Sequence, residues 1–217
     1  MLTAISVYFI LCGMKKEIHS ALADLCTIQL GFTNRSKLEE SFSDGVPCIQ
    51  QGDLNKDEDL PLQDIKRYAL DGIVDRFRIS GGEVLFRSRA GMAVAKAVPE
   101  GLAPKVVVIN PVMILRVKSE QLLPDYLAWT INQPWVQTQL NPDVRGSAIK
   151  MIPKSALARV QIPVPSLEVQ RKIIEFSRLA ARESRLLEQL REQRGKWAEA
   201  ITRQVLNVDQ VLKGAMQ

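Results

Sequence analysis

The sequence predicts an α/β (α+β) protein, a globular body with a β-rich core followed by one long C-terminal α-helix. Three observations predict it. Residues 72–117 carry four runs dominated by Val, Ile, Leu and Phe and punctuated by Gly and Pro, the pattern of short buried strands. Residues 159–165 cannot be helical, because Pro163 and Pro165 fix φ and push the residues before them into extended backbone. Beyond Leu167 there is no proline and only Gly195 as far as residue 206, so roughly 40 residues at ~1.5 Å each make a rod on the order of 60 Å. The chain therefore divides into a body, 1–165, and a helical part, 166–217.

In chain order, residues 1–12 form an apolar run too short for the ~20 residues that cross a bilayer, and read as an extension or an added strand. A helix-like stretch headed by His19-Ser20-Ala21 leads to the loop Gly31-Phe32-Thr33-Asn34-Arg35-Ser36-Lys37. Thr33, Asn34, Arg35, Ser36 and Lys37 all carry donors suited to phosphate, and Gly31 permits close backbone approach. A solvated turn uses the same residues, so both readings stand. A strand at 46–50 ends at Gly52-Asp53; Gln50 and Gln51 suit adenine edges in a major groove and are equally ordinary at a strand end.

Residues 84–86 read as a buried strand, 92–98 as a second, and 105–109 and 112–117 as two more joined near Asn110-Pro111. Arg87-Ser88-Arg89 falls on the turn between the first two. Such a turn either faces water or presents guanidinium forks to guanine or phosphate. Pro124 opens a short helix in which Tyr126, Leu127, Trp129 and Thr130 pack inward, and residues 135–140 make another; their aromatics read as core. Residues 141–150 are a polar loop in which Arg145, Ser147 and Lys150 are further candidates for backbone or base contact. A small helix at 152–157 precedes the last strand, 159–164, and no internal repeat is present.

Ser166 and Glu168 then suit a helix start, the first as a cap and the second at the positive end of the dipole. Stepping alternately by three and four from Ile173 gives Phe176, Ala180, Glu183, Leu187, Leu190, Arg194, Trp197, Ile201 and Gln204, a mostly apolar seam at the heptad period. Arg171, Lys172, Arg178, Arg182, Arg185, Glu188 and Glu192 fall mainly off it. The helix is longer than one small domain can cover, which favours helix-to-helix pairing through Ile173, Phe176, Ala180, Leu187, Leu190, Trp197 and Ile201.

A hydrophobic fraction of 46% with 24% charged residues is that of a folded chain, which excludes disorder as the default. A net charge of +5 permits a polyanionic partner without requiring one. Between residues 76 and 118 stand Arg76, Arg78, Arg87, Arg89, Lys96, Lys105, Arg116 and Lys118 against Glu83 and Glu100, whereas Asp53, Asp57, Glu58, Asp59 and Asp64 precede them; this predicts a basic face. Cys12, Cys26 and Cys48 lack Cys-x-x-Cys spacing, so neither a disulfide framework nor a thiolate metal site is indicated, and a cytoplasmic location suits them. With His19 as the single histidine, multi-histidine metal sites are excluded. No phosphate loop or dinucleotide fingerprint occurs, and Asn110-Pro-Val and Asn141-Pro-Asp lack the second proline and aromatic of amino-methyltransferases. No catalytic residue, metal or cofactor is expected.

Several of these segments together resemble the specificity subunits of Type I restriction-modification systems. They are the Ile-Pro-x-Pro exit at Ile162, the following Leu-x-x-Gln-Arg-x-Ile from Leu167, the Gly81-Gly82-Glu83-Val84-Leu85-Phe86 strand with its basic loop to Gly91, Gly31-Phe32-Thr33, and residues 46–54. The departure is Gly82-Glu83 where Gly-Asp is usual. The resemblance implies a non-catalytic target-recognition domain that grips one half of a bipartite site on double-stranded DNA, and it places Arg87-Ser88-Arg89 on a recognition loop. The helix is implied to be a spacer and docking surface for the modification (methyltransferase) subunit and, through it, the restriction subunit. Where a full member has two recognition domains and two helices, this chain has one of each. That implies a half-subunit forming a homodimer by antiparallel coiled-coil pairing over a palindromic bipartite site. A self-contained DNA-acting enzyme and a purely structural coiled-coil adaptor are the alternatives.

Overall fold

The computed structural model describes residues 19–41, 45–55, 60, 62–72, 75–89, 93–101, 105–140 and 151–214, with side chains up to residue 206. The elements are β1 (His19–Ala21), α1 (Leu22–Leu25), β2 (Cys26–Leu30), β3 (Val46–Ile49), β4 (Arg67–Tyr68), β5 (Arg78–Ile79), β6 (Val84–Arg87), β7 (Val94–Ala97), β8 (Val106–Val108), β9 (Val112–Val117), α2 (Pro124–Ile131), α3 (Pro134–Leu140), α4 (Lys154–Ala158), β10 (Gln161–Pro163) and α5 (Leu167–Gly214). The mixed α/β body and the long C-terminal helix are as the sequence predicts. The chain divides into two compact units, Met1–Arg171 and Lys172–Gln217.

Every residue of β6 is buried, and the strand's two-residue period explains what each covers. Leu85 shares an apolar cluster with Val112 and Ile114 of its own antiparallel sheet, ordered β2-β9-β6-β7, and with Ile49, Ile79, Val106 and Val108 of the second sheet, ordered β4-β3-β8-β5. The core of the first unit is thus the layer between two four-stranded sheets. Phe86 and Val84, fully buried on the opposite side of the pleat, belong to the sheet against which α2 packs. The outer edge of β7 is closed by one side chain. Asn132 accepts from the Ala95 amide at 2.8 Å and donates to the Ala95 carbonyl at 2.8 Å, standing in for a further strand.

The structure corrects the sequence expectations at several points. Residues 19–21 are a strand paired with β10, and residues 26–30 an edge strand, so the expected helical stretch shrinks to the single turn α1. Tertiary pairing overrode local propensity there. Trp135 was expected in the core but is 43% exposed, because only Val136 and Leu140 of α3 face inward. The readings made on residues 1–12 and 141–150 lie outside the described residues.

The helix α5 begins at Leu167 for a reason that its fourth residue makes plain. Gln170 is fully buried, accepts from the Leu123 amide at 2.9 Å, and donates to the Gln121 carbonyl at 2.6 Å and the Pro165 carbonyl at 2.8 Å. One buried amide side chain therefore satisfies three backbone groups at once.

Candidate nucleic-acid interface

The loop after β2 is shaped by backbone packing before any ligand is considered. A Cβ on Gly31 would stand 2.7 Å from the backbone of Ile109 and Asn110, so the glycine serves a close approach of two chain segments. The Gly31 amide donates to the Val112 carbonyl at 2.8 Å and the Phe32 amide to Val108 at 2.7 Å. The close approach that Gly31 permits is therefore made by the connection at Ile109 and Asn110. Next in the loop, Asn34 donates to the Ser36 hydroxyl at 3.1 Å and accepts from the Asp71 amide, while Ser36 donates to the Asp71 carboxylate at 2.7 Å. Thr33 accepts from the Asn110 side chain at 3.1 Å. Three of the five expected phosphate donors therefore brace the loop itself, and Arg35 and Lys37 are its exposed cations.

A groove of about 940 Å³ runs beside the free edge of β2. Residues 27–31 give it one wall, Phe32 and Phe77 are among its lining, and Arg35, Arg76 and Lys154 face it together with Asp71. Phe77 stands edge-on to Phe32 with centroids 5.4 Å apart, and the Arg76 guanidinium lies 4.8 Å over the Phe77 ring. Three exposed cations against one carboxylate make the groove a positive channel with an apolar floor, a combination that suits a phosphate backbone with bases or sugars beside it.

A half-buried polar network stands beside the groove. Arg116 pairs with Glu83, donates to Gln29 Oε1 at 2.7 Å, and donates to the carbonyls of Arg76 and Arg78 at 2.9 and 3.1 Å. Gln29 donates in turn to the Arg76 carbonyl at 2.7 Å. Arg76 is thus positioned through its main chain, which leaves its side chain to the groove. Glu83 also accepts from the Ser80 amide at 3.1 Å across a turn in which Gly82 has φ +80°. One carboxylate serves the turn and the arginine together.

A family model described as Type I restriction modification DNA specificity domain matches residues 16–193, most of the first unit and the beginning of the second. The chain belongs to the Type I restriction modification DNA specificity domain family. No curated protein matches the sequence. Among solved structures, the fold is similar to the HsdS subunit from Thermoanaerobacter tengcongensis at 17% identity and TM-score 0.59, covering 83% of this chain and 47% of that one. It is also similar to a chain in a structure described as underlying complex assembly and conformational transition of the type I R-M system, at 19% identity and TM-score 0.57, covering 82% and 42%. The Type-I restriction-modification system S subunit from M. genitalium matches at 13% identity and TM-score 0.50, covering 76% and 38%. The chain spans less than half the length of each.

Within this specificity-domain fold the remaining sequence candidates separate. Arg87 and Ser88 are not on an exposed turn: Arg87 is 7% exposed and donates to the Leu54 carbonyl at 2.9 Å, and Ser88 is 1% exposed and donates to the Pro111 carbonyl at 2.9 Å. Strand β6 runs one residue further than expected and turns Arg87 inward on the same side as Leu85. Arg89, half-buried, pairs through its backbone with Met151. Gln50 caps the short turn at residues 51–53, its side chain accepting from the Asp53 amide while its own amide donates to Asp53 Oδ2 at 2.7 Å. Gln51 has its Oε1 buried, which removes the acceptor half of a bidentate adenine contact. Arg145, Ser147 and Lys150 lie outside the described residues.

Sequence reasoning missed Lys154 and Gln29 as groove residues and counted Arg76 only as one of a basic run. That run overstated the free charge, because Arg78 is tied to Asp75 at 3.2 Å and to the Lys105 carbonyl, Lys118 to the Ala23 carbonyl, Arg116 is paired with Glu83, and Arg87 is buried. Among the described residues no group of three or more His, Cys, Asp or Glu is placed to hold a metal ion. Burial pushes the Cys26 and Cys48 thiols up to about 12, so both are protonated and unreactive at neutral pH.

Proposed function

We propose that this chain is a DNA-sequence recognition module of a Type I restriction-modification system, without chemistry of its own. The observation that carries the reading is the family match over residues 16–193, which takes in the body and most of the long helix. The body engages one half of a bipartite site on double-stranded DNA. Its groove beside β2 tracks a phosphate backbone with Arg35, Arg76 and Lys154, and Lys37 and Arg89 stand nearby in the chain as further cations. Base reading is assigned to whatever those contacts hold in register, since phosphate contacts position and base contacts specify. The helix α5 supplies the pairing surface, through which a second copy is bound, and the docking surface for a modification methyltransferase subunit and, through it, a restriction subunit. Together they act on DNA in the cytoplasm.

Selection of bound duplexes from a random pool, with and without a cognate modification subunit, tests this. A bipartite consensus is the expected result. A pool that stays random in both arms, with the chain folded, rejects it. Incubating the purified chain with plasmid, divalent metal and a methyl donor tests the enzymatic alternative, and any turnover by the chain alone would replace the present reading.

A further inference from the structure

Among the described residues that line the groove beside β2, Asp71 is the one carboxylate. It is exposed, and none of Arg35, Arg76 and Lys154 forms an ion pair with it. The carboxylate is nonetheless fixed in place. Its Oδ2 accepts from the Ser36 hydroxyl at 2.7 Å, its amide donates to Asn34 Oδ1 at 3.2 Å, and Asn34 donates to the Ser36 hydroxyl at 3.1 Å. These bonds clasp residues 34–36 to a tight turn centred on Asp71, in which the Gly72 amide donates to the Leu70 carbonyl at 3.1 Å. Leu70 packs with Phe32 and Phe77 against the cluster of Cys48, Val107 and Ile109, which ties the turn to the core. Among the described residues Asp71 Oδ1 has no partner.

A clasp between two loops needs only an acceptor, which an asparagine would supply without a charge. A full negative charge facing phosphates opposes binding to every duplex. What it gains in exchange follows from the chemistry of DNA. A carboxylate only accepts hydrogen bonds. Phosphates and the deoxyriboses of a continuous strand likewise only accept, so the donors that a duplex offers lie on its base edges. In the major groove these are the N4 amino group of cytosine and the N6 amino group of adenine.

We propose that Asp71 is a specificity-determining residue: with Arg35, Arg76 and Lys154 on phosphates, its Oδ1 accepts from the exocyclic amino group of one cytosine or adenine. Turning that base pair about puts guanine O6 or thymine O4 against the carboxylate, and acceptor against acceptor is rejected. This rests on the proposed DNA reading of the body and names the base chemistry that one of its residues reads.

Selection from a random pool and duplex titrations test it, using the full chain, Asp71→Ala and Asp71→Asn, with and without the modification subunit and with chemical denaturation to confirm folding. D71A loses the preference at one base pair. Its affinity for the selected duplex falls about fivefold or more. Its affinity for duplexes outside the consensus rises about twofold or more, a change of opposite sign that a folding defect would not give. D71N keeps the acceptor for Ser36 and removes the charge; it shows the same rise, and its preference at that pair falls because its amide also donates. In the selected duplex, 2-pyrimidinone for cytosine or purine for adenine at that pair deletes the amino group. The analogue weakens the parent chain about as much as D71A does and weakens D71A no further, and which analogue acts tells cytosine from adenine. An unchanged D71A consensus overturns the assignment. So does a D71N that behaves as the parent, a D71A that weakens all duplexes alike, or an analogue that weakens both chains equally. Each of these leaves the DNA reading standing, whereas a parent chain that selects no sequence in either arm overturns that reading and the assignment with it.

Discussion

Arg116 shows how a charge that the sequence assigns to the surface becomes structural. Its side chain is 30% exposed and that of Glu83 is 14% exposed, yet between them they bind Gln29, the Ser80 amide and two carbonyls. Arg116→Met would remove the guanidinium from a mostly buried carboxylate, which keeps only the Ser80 amide, and from two carbonyls, of which that of Arg76 keeps Gln29. Chemical denaturation is expected to show a loss of about 2–3 kcal/mol, below the cost of breaking a fully buried pair, with E83Q/R116M losing less than the single change. The two buried thiols give a pH prediction. Their folded pKa of about 12 exceeds the ordinary value of 9.0, so the folded state holds more protons. The stability they contribute is complete below pH 9 and falls as pH rises from 9 toward 12. Unfolding free energy measured from pH 8 to 11 should decline less steeply in C26A/C48A than in the parent chain. An equal slope would show that the thiols do not carry the effect.

At the scale of elements, the join between strand β10 and helix α5 was legible as a Pro-x-Pro exit followed by a helix start, and the reason for the glutamine in that helix was not. Gln170 bonds to residues 47 and 49 positions earlier, and no local pattern announces such partners. Gln170→Leu keeps the volume and removes three hydrogen bonds. We expect about 2–4 kcal/mol of destabilisation and faster amide exchange at residues 167–171, with exchange in β6 changed only as far as global stability changes. The strand β6 illustrates the converse. Its apolar run was evident, but whether Arg87 ended or continued it depended on Leu54, brought from another segment to accept its hydrogen bond.

For the whole molecule, the groove predicts a salt-dependent affinity that is blind to sequence. Titration of the triple variant R35A/R76A/K154A against several duplexes should show uniform weakening and a salt slope smaller by about three. Loss confined to one duplex would instead make one of these residues a base reader. The sequence by itself determined the four buried strands between residues 84 and 117, the short helices at 124–140, the long C-terminal helix with its apolar seam, and the family. These rest on proline, glycine and apolar periodicity, which act within a few residues. Only the tertiary structure decided which cations remain free, because that depends on which carbonyls and carboxylates the fold carries to each arginine. It turned Arg87 and Ser88 inward, paired Arg116 with Glu83 and occupied Asn34 and Ser36, and it gathered Arg35, Arg76 and Lys154 from three distant segments onto one groove. Charge is written in the chain, but its exposure is a property of packing.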